Sequence, residues 1–392
     1  MQKFSADIVY PIASNPIPRG VVVTDDKGFI LQVDEADAHD PATVDYQPGA
    51  LIPGLVNTHC HLELSHMKGK VDTGTGLLPF LQQVVQFRDI PQEEIDAAIV
   101  QADAEMHENG IVAVGDISNK LDTAATKDNS PISYYTFVEM FDFLQEGNAG
   151  QTYSDYAEVL EGQSDRHENR KSAVPHAPYT VSRELFRLIR QTNPDDATIS
   201  IHNQETAHED HFFLTKEGGF LDFYERFGFK LDDFKASGQR SIHYALANMN
   251  PNNRVLFVHN TMTGVEDIRA AMDWGDRVYW ATCPNANLYI ENRLPHYQNW
   301  LDTKAKLTIG TDSLTSNWQL SVLEEMKTIS RYQSYVPLET LLRWATLNGA
   351  EALGFHDRLG SLEPGKQPGL VRLTGLAQNG QLQSGTQAER II

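Results

Sequence analysis

Two histidines, His59 and His61, stand two residues apart at the end of the apolar run Leu51 to Val56, within PGLVNTHCHLELSHMKG. Successive side chains of a strand alternate faces, so both imidazoles project to one side and Cys60 to the other. Two neutral imidazoles side by side are half of a transition-metal site. The ends of other apolar runs supply more of the same chemistry: His176, His202 with Glu205, His259 and Asp312. Three histidines and one carboxylate suit a single divalent ion of the zinc or iron type, with one position left open for water. A histidine at a strand end is often no more than a turn residue, but six such groups on successive strand ends form a pattern.

The elements that must gather these residues alternate along the chain. Strands are expected at 51–59, 111–117, 132–137, 172–175, 198–202, 255–259, 278–283 and 307–312. Helical patterns stand between many of them. One runs over 93–109 with Gly110 at its C-terminal cap, one over 182–191, one over 319–332, and one over 337–353 opening on Pro337. Eight strands with intervening helices is the count of a (β/α)8 TIM barrel, an α/β architecture in which the loops after all strands meet at one face. Residues 1–52 hold short β-type runs separated by turns, and the chain from 360 to 392 has the same texture, with a Gly- and Gln-rich tail whose last dozen residues read as low complexity. The two ends are expected to pair into one small β domain, leaving 53–359 as the barrel, because isolated two- or three-stranded pieces are marginal in water. The stretch 207–248 exceeds what one crossover needs and reads as a helical insertion whose aromatic residues pack it together. Within it, His208-Glu209-Asp210-His211 lacks the four-residue histidine spacing of a metalloprotease helix and reads as a solvated turn.

Composition narrows the function. The 392 residues carry 32 Lys plus Arg against 53 Asp plus Glu, a formal charge of -21 that repels phosphate backbones and anionic lipid. Nucleic-acid and membrane partners are therefore not expected, and the partner is a small-molecule substrate. Cys60 and Cys283 are the two cysteines, which excludes a disulfide framework and a Cys-rich zinc module. The chain opens without a basic start and apolar core of a leader, and it lacks a long apolar run, so a reducing, cytoplasmic location is expected.

The segments PGLVNTHCHLELS, PHAPYTVS, IHNQET, FVHN, CPNAN and IGTDSLTSN resemble, in order, motifs of the amidohydrolase superfamily. They are most similar to its mononuclear nucleoside and base deaminase branch, which includes relatives of cytosine deaminase, S-adenosylhomocysteine deaminase and chlorohydrolases. The resemblance implies His59, His61, His202 and Asp312 as ligands of one divalent metal ion, zinc first and iron second. It implies Glu205 as the proton shuttle, and His259 as the group contacting the water or the reacting centre. The implied catalytic set is thus Glu205, His259 and Asp312, and the family implies a homo-oligomer and a β-sandwich form for the small domain built from both chain ends. Chemistry supports these roles: a divalent ion lowers the pKa of its water from about 15.7 to about 7. Asp312 can then accept a proton while Glu205 protonates a ring nitrogen and helps ammonia depart.

Two relatives of this chemistry do not fit. Binuclear members use a modified lysine at the end of the fourth strand, where this chain has Val174 to Pro178, Lys171 falling at the other end. The unrelated zinc deaminases need a Cys-x-x-Cys pair, which is absent. The segment HLELS looks like that of aminofutalosine deaminases, which implies Glu63 as a hydrogen-bond acceptor for a ribose or ring; the competing reading is a local ion pair with Lys68 or Lys70. His176 matches a ligand-facing position of nucleoside-processing relatives. In CPNAN, Ala286 replaces the commoner serine, so a hydroxyl contact is missing, and Cys283 reads as packing. The function expected is deamination of an aromatic N-heterocycle, foremost the adenine of a modified nucleoside of the aminofutalosine, S-adenosylhomocysteine or methylthioadenosine type. The alternatives are hydrolysis of another leaving group, on a halo-triazine or cyclic amide, and a barrel that binds without catalysis.

Overall fold

Buried β-branched runs form eight parallel strands in the middle of the chain: β1 (Leu55–Cys60), β2 (Ile111–Ile117), β3 (Ser133–Met140), β4 (Arg170–Pro175), β5 (Thr198–Asn203), β6 (Arg254–His259), β7 (Val278–Thr282) and β8 (Lys306–Ile309). In this computed structural model, which describes residues 1–377 and 380–392, they make two four-stranded sheets, β4-β3-β2-β1 and β5-β6-β7-β8. Their residues are buried almost throughout, the pattern of parallel strands covered on both faces.

The two sheets touch at both edges. At one, His202 N donates to His176 O at 2.9 Å; at the other, Thr311 N and Asp312 N donate to His59 O at 3.0 Å each. A single parallel bridge, Cys60 to Asp312, spans that second seam. Strand counting anticipates one continuous ladder, and among the described residues the ladder instead stops at each seam. Pro175, the last residue of β4, has no N–H to give, and β8 is only four residues long.

Helices follow the strands and cover them. Arg183–Thr192, between β4 and β5, starts where the Ser182 side chain accepts from Leu185 N, and it buries Leu185, Phe186 and Ile189 against the sheet. Gln92–Glu108 leads into β2 through Gly110, whose φ of +81° lets the chain turn sharply. Among the described residues no helix is long and apolar enough to cross a membrane.

Both chain ends contribute to two smaller sheets. One orders Ile30–Asp34, Val21–Thr24, Gln2–Ser5 and Asp45–Tyr46; the other orders Gln387–Arg390, Leu370–Thr374, Ala50–Pro53, Ile8–Val9 and Ile17–Pro18. Phe4, Val9, Val22, Ile30, Leu51 and Leu370 share one apolar cluster across them.

Four local readings change. The run 51–59 is two strands, divided at Gly54, where a Cβ would meet Val112 Cγ1 at 2.2 Å and Pro368 O at 2.6 Å. The helix expected over 337–353 breaks at Thr346, with φ −134° and ψ −87°. The tail is not featureless: Gln387–Arg390 pairs antiparallel with Leu370–Thr374, and Arg390 donates to His107 O and Ile111 O. Gln378 and Asn379 of that tail lie outside the described residues. Finally, His208 to His211 is no solvated turn. It opens the helix Ala207–Thr215, capped by Thr206, with Glu209 and Asp210 buried. This helix, with Gly219–Arg226 and Ser241–Asn248, lies between β5 and β6, and Phe212, Phe213, Phe220 and Tyr224 join Leu77, Leu78 and Phe80 in a second apolar cluster.

Candidate active site

The ends of the strands bring the chemistry-bearing residues together. His59 and His61 Nε2 are 3.2 Å apart, and Asp312 Oδ1 lies 3.5 Å from the first and 3.3 Å from the second. The ligating atoms of His59, His61 and His202 fall within 4.8 Å of one another, as do those of His59, His259 and Asp312. Four donors about 2.1 Å from an ion in tetrahedral array stand about 3.4 Å apart, so these separations fit a divalent ion. The chemistry of two donors fits too: burial pushes His61 down to about 4 and lowers His59, which favours the neutral imidazole a metal needs. Burial opposes the charge on Asp312, yet the His59 hydrogen bond and the nearby His61 and His259 hold its carboxyl well below the usual range.

The backbone at this site is held in unusual conformations. Gln204, His259 and Asp312 have φ of 46°, 69° and 56°, left-handed values for residues other than glycine. Hydrogen bonds hold the groups around them. Glu209 accepts from Gln204 N at 3.0 Å and Glu205 N at 3.2 Å, which turns Glu205 inward. Asn287 Oδ1 is 3.1 Å from His259 Nδ1, so that nitrogen carries the hydrogen and Nε2 faces Glu205 Oε1 at 3.7 Å. Ser316 Oγ donates to Asp312 Oδ2 at 2.5 Å. Burial pushes Glu205 well above the ordinary carboxylate range, which favours its protonated form.

Glu63 and His176 also reach the cavity. Glu63 Oε2 accepts from Asn119 N at 2.9 Å and Lys120 N at 3.3 Å, and its other oxygen is 4.0 Å from Arg88 Nη2. The cation facing it is thus Arg88, not Lys68 or Lys70. Burial lifts Glu63 to about 7 against these donors. His176 Nδ1 is 2.7 Å from Thr180 Oγ1, and burial lowers the ring to about 4.

Sequence reasoning passed over three residues. Asp116 and Lys127 form a buried ion pair at 2.6 Å, and Asp116 Oδ1 accepts from Leu62 N at 2.7 Å, directly after His61. Glu139, the penultimate residue of β3, lies 3.2 Å from His202 Nδ1. Burial opposes ionisation of His202, but Glu139 outweighs it and lifts the ring to about 9. The signal was a charged residue inside an otherwise apolar run, Asp116 in IVAVGDI and Glu139 in SYYTFVEM.

The cavity over these groups measures about 290 Å³. Its floor holds His61, His202, Glu205, His259 and Asp312; its wall is apolar, with Leu77, Phe80, Leu81, Val84, Phe223 and Phe227 among the lining residues. Arg88 is the one Lys or Arg lining it.

Comparisons with known proteins place the chain among relatives of known name. An adenosine deaminase of Helicobacter pylori is 25% identical over 329 residues, covering 83% of this chain and 79% of that protein. The structure of an adenosine deaminase from Xanthomonas campestris with bound zinc superposes with a TM-score of 0.71 at 26% identity, over 95% of this chain and 84% of that one. Helicobacter pylori aminofutalosine deaminase in complex with methylthio-coformycin shares the fold, with a TM-score of 0.79 at 22% identity, over 96% and 93% of the two chains. The model of the amidohydrolase family matches residues 50–387, and the chain belongs to that family, as a hydrolase acting on C–N bonds.

Proposed function

We propose that this protein is a zinc-dependent aminohydrolase that replaces the exocyclic amine of adenine with oxygen in a modified nucleoside. The observation that carries the reading is Glu205, a carboxyl buried beside the ligand cluster and 3.7 Å from His259 Nε2, which burial biases toward its protonated form. Loss of an amine from an aromatic ring needs a proton delivered to the ring nitrogen and then to the leaving group, and Glu205 is a proton source at the floor of the cavity. His59, His61, His202 and Asp312 would hold the ion. When bound, it supplies Lewis acidity and activation of water at neutral pH.

The chain's own residues account for the rest. Asp312 accepts a proton from the attacking water. Glu205 gives its proton to the ring nitrogen, so that the amine-bearing carbon becomes electrophilic. His259, fixed by Asn287, orients the oxygen being added. The C–N bond then breaks, the amine leaves as ammonia with the second proton of the water, the carbonyl product remains, and the proton on Asp312 passes back to Glu205, which restores both carboxyl groups. Glu63 is suited to a ribose hydroxyl and His176 to the purine edge. The apolar wall suits an uncharged substituent on the far side of the ribose. The bound zinc of the Xanthomonas campestris relative supports that metal, and the fold shared with the aminofutalosine deaminase supports reading the two half-sheets as one barrel capped by the chain-end sheets.

Ammonia release by zinc-loaded protein is measured across adenosine, 5′-methylthio and S-homocysteinyl adenosines, aminofutalosine, cytosine and aminotriazines. Release from one or more adenine nucleosides is expected, with Glu205→Gln lowering kcat by about 10² to 10⁴. Release from the triazines or cytosine alone, or full activity of the Glu205→Gln variant, overturns the reading.

A further inference from the structure

We infer that Glu139 is a positioning residue for the metal site, a fixed carboxylate standing behind the ligand His202. The inference rests on the metal reading above and goes beyond it. Glu139 sits near the C-terminal end of β3, only 3% exposed, with Oε1 3.2 Å from His202 Nδ1. The Nδ1 hydrogen lies toward His176 O at 2.9 Å. That carbonyl selects the tautomer and leaves Nε2 as the atom facing His59 and His61. Glu139 Oε1 therefore stands beside the ring without a hydrogen-bond donor of its own.

A buried carboxylate oxygen without a donor is costly unless positive charge compensates it. Among the described residues the cavity lining holds the acidic groups of Glu63, Glu139, Glu205 and Asp312 and one guanidinium, that of Arg88. Arg88 faces Glu63 rather than Glu139. A cation at Nε2 of His202 would draw electron density through the imidazole and keep positive character on Nδ1–H, 3.2 Å from Glu139 Oε1. The coupling works in both directions: the ion offsets the buried charge of Glu139, and Glu139 raises the basicity of the ligand. Groups standing behind ligating histidines typically contribute about 10- to 100-fold in metal affinity, and Glu139 adds its charge to the hydrogen bond that His176 O already makes there.

The test is a zinc titration of chelator-treated full-length protein against a chromophoric competitor, for the wild type, Glu139→Gln and Glu139→Asp. Circular dichroism of each establishes that the fold is kept. The wild type is expected to bind one ion, Glu139→Gln to bind 10- to 100-fold more weakly, and Glu139→Asp, which keeps the charge at a greater distance, to fall between. The cobalt-loaded Glu139→Gln variant should show a shifted visible spectrum, which a purely structural role would not produce. One ion bound by the wild type with equal affinity in Glu139→Gln refutes the role of Glu139 and leaves the metal reading standing. No ion bound by the wild type refutes both.

Discussion

Replacing Lys127 by Met removes the cation from a buried pair and provides a strong test of how the site is supported. The Lys127 ammonium and Asp116 carboxylate are 3% and 0% exposed and 2.6 Å apart, and Lys127 also donates to Ser118 Oγ and Thr136 Oγ1 at 3.0 Å each. An exposed pair would contribute about 0–1 kcal/mol. Here the Met side chain fills the space of the lysine stem but leaves Asp116 charged, enclosed and held only by Leu62 N and Ser118 Oγ. Breaking a buried pair from one side costs about 3–5 kcal/mol. Urea unfolding followed by tryptophan fluorescence should show a loss of that size. Adding Asp116→Asn removes the stranded charge, so the double variant should be more stable than Lys127→Met alone. Because Asp116 fixes the amide that follows His61, zinc affinity should fall along with stability. A loss below about 1 kcal/mol, or a double variant no better than the single one, would refute the reasoning.

Asn287→Ala frees His259 Nδ1 from the acceptor at 3.1 Å, and loss of one such hydrogen bond corresponds to about a tenfold fall in kcat with little change in KM; steady-state kinetics on the preferred nucleoside that show unchanged kcat would remove Asn287 from the account. Chelation of the ion should lower the thermal midpoint, since free zinc at about 1,000 times its dissociation constant stabilises the native state by about 4 kcal/mol. Calorimetry with and without zinc tests this, and His59→Ala, which removes a ligand, should melt at the same temperature in both.

Much of the fold was legible because its signals were local. β2 was read at its observed bounds, since Gly110 ends the preceding helix and a continuous apolar run follows. The break at Gly54 was not legible: it arises from Val112 and Pro368, residues distant in sequence that crowd one position. The helix in AHEDHFFLT was hidden for a related reason. Its two acidic residues face inward because their partners lie elsewhere: Asp210 pairs with Arg240 at 2.7 Å, and Glu209 caps the amides of Gln204 and Glu205. Local polarity indicates solvent only where no distant donor waits.

Glu139 shows where the strand-end rule that found the other site residues stopped short. That rule collects side chains from the C-terminal ends of strands, and the third strand was expected to end at Phe137, although it runs to Met140. Two further residues carry a carboxylate to the end of the strand, 3.2 Å from His202 Nδ1, with Glu139 lying opposite Val174 and Met140 opposite Pro175. A strand that continues through a glutamate is disfavoured by intrinsic propensity. It persists here because every other residue from Tyr134 to Met140 is buried and paired, so the tertiary frame, not the glutamate, sets the strand's length. The same frame holds Gln204, His259 and Asp312 at positive φ. Strained backbone and a buried carboxylate thus occur at one end of the sheets, where an ion bound by His59, His61, His202 and Asp312 would offset the negative charge. The energetic cost carried by the fold at that face is therefore itself an argument that the face binds a cation.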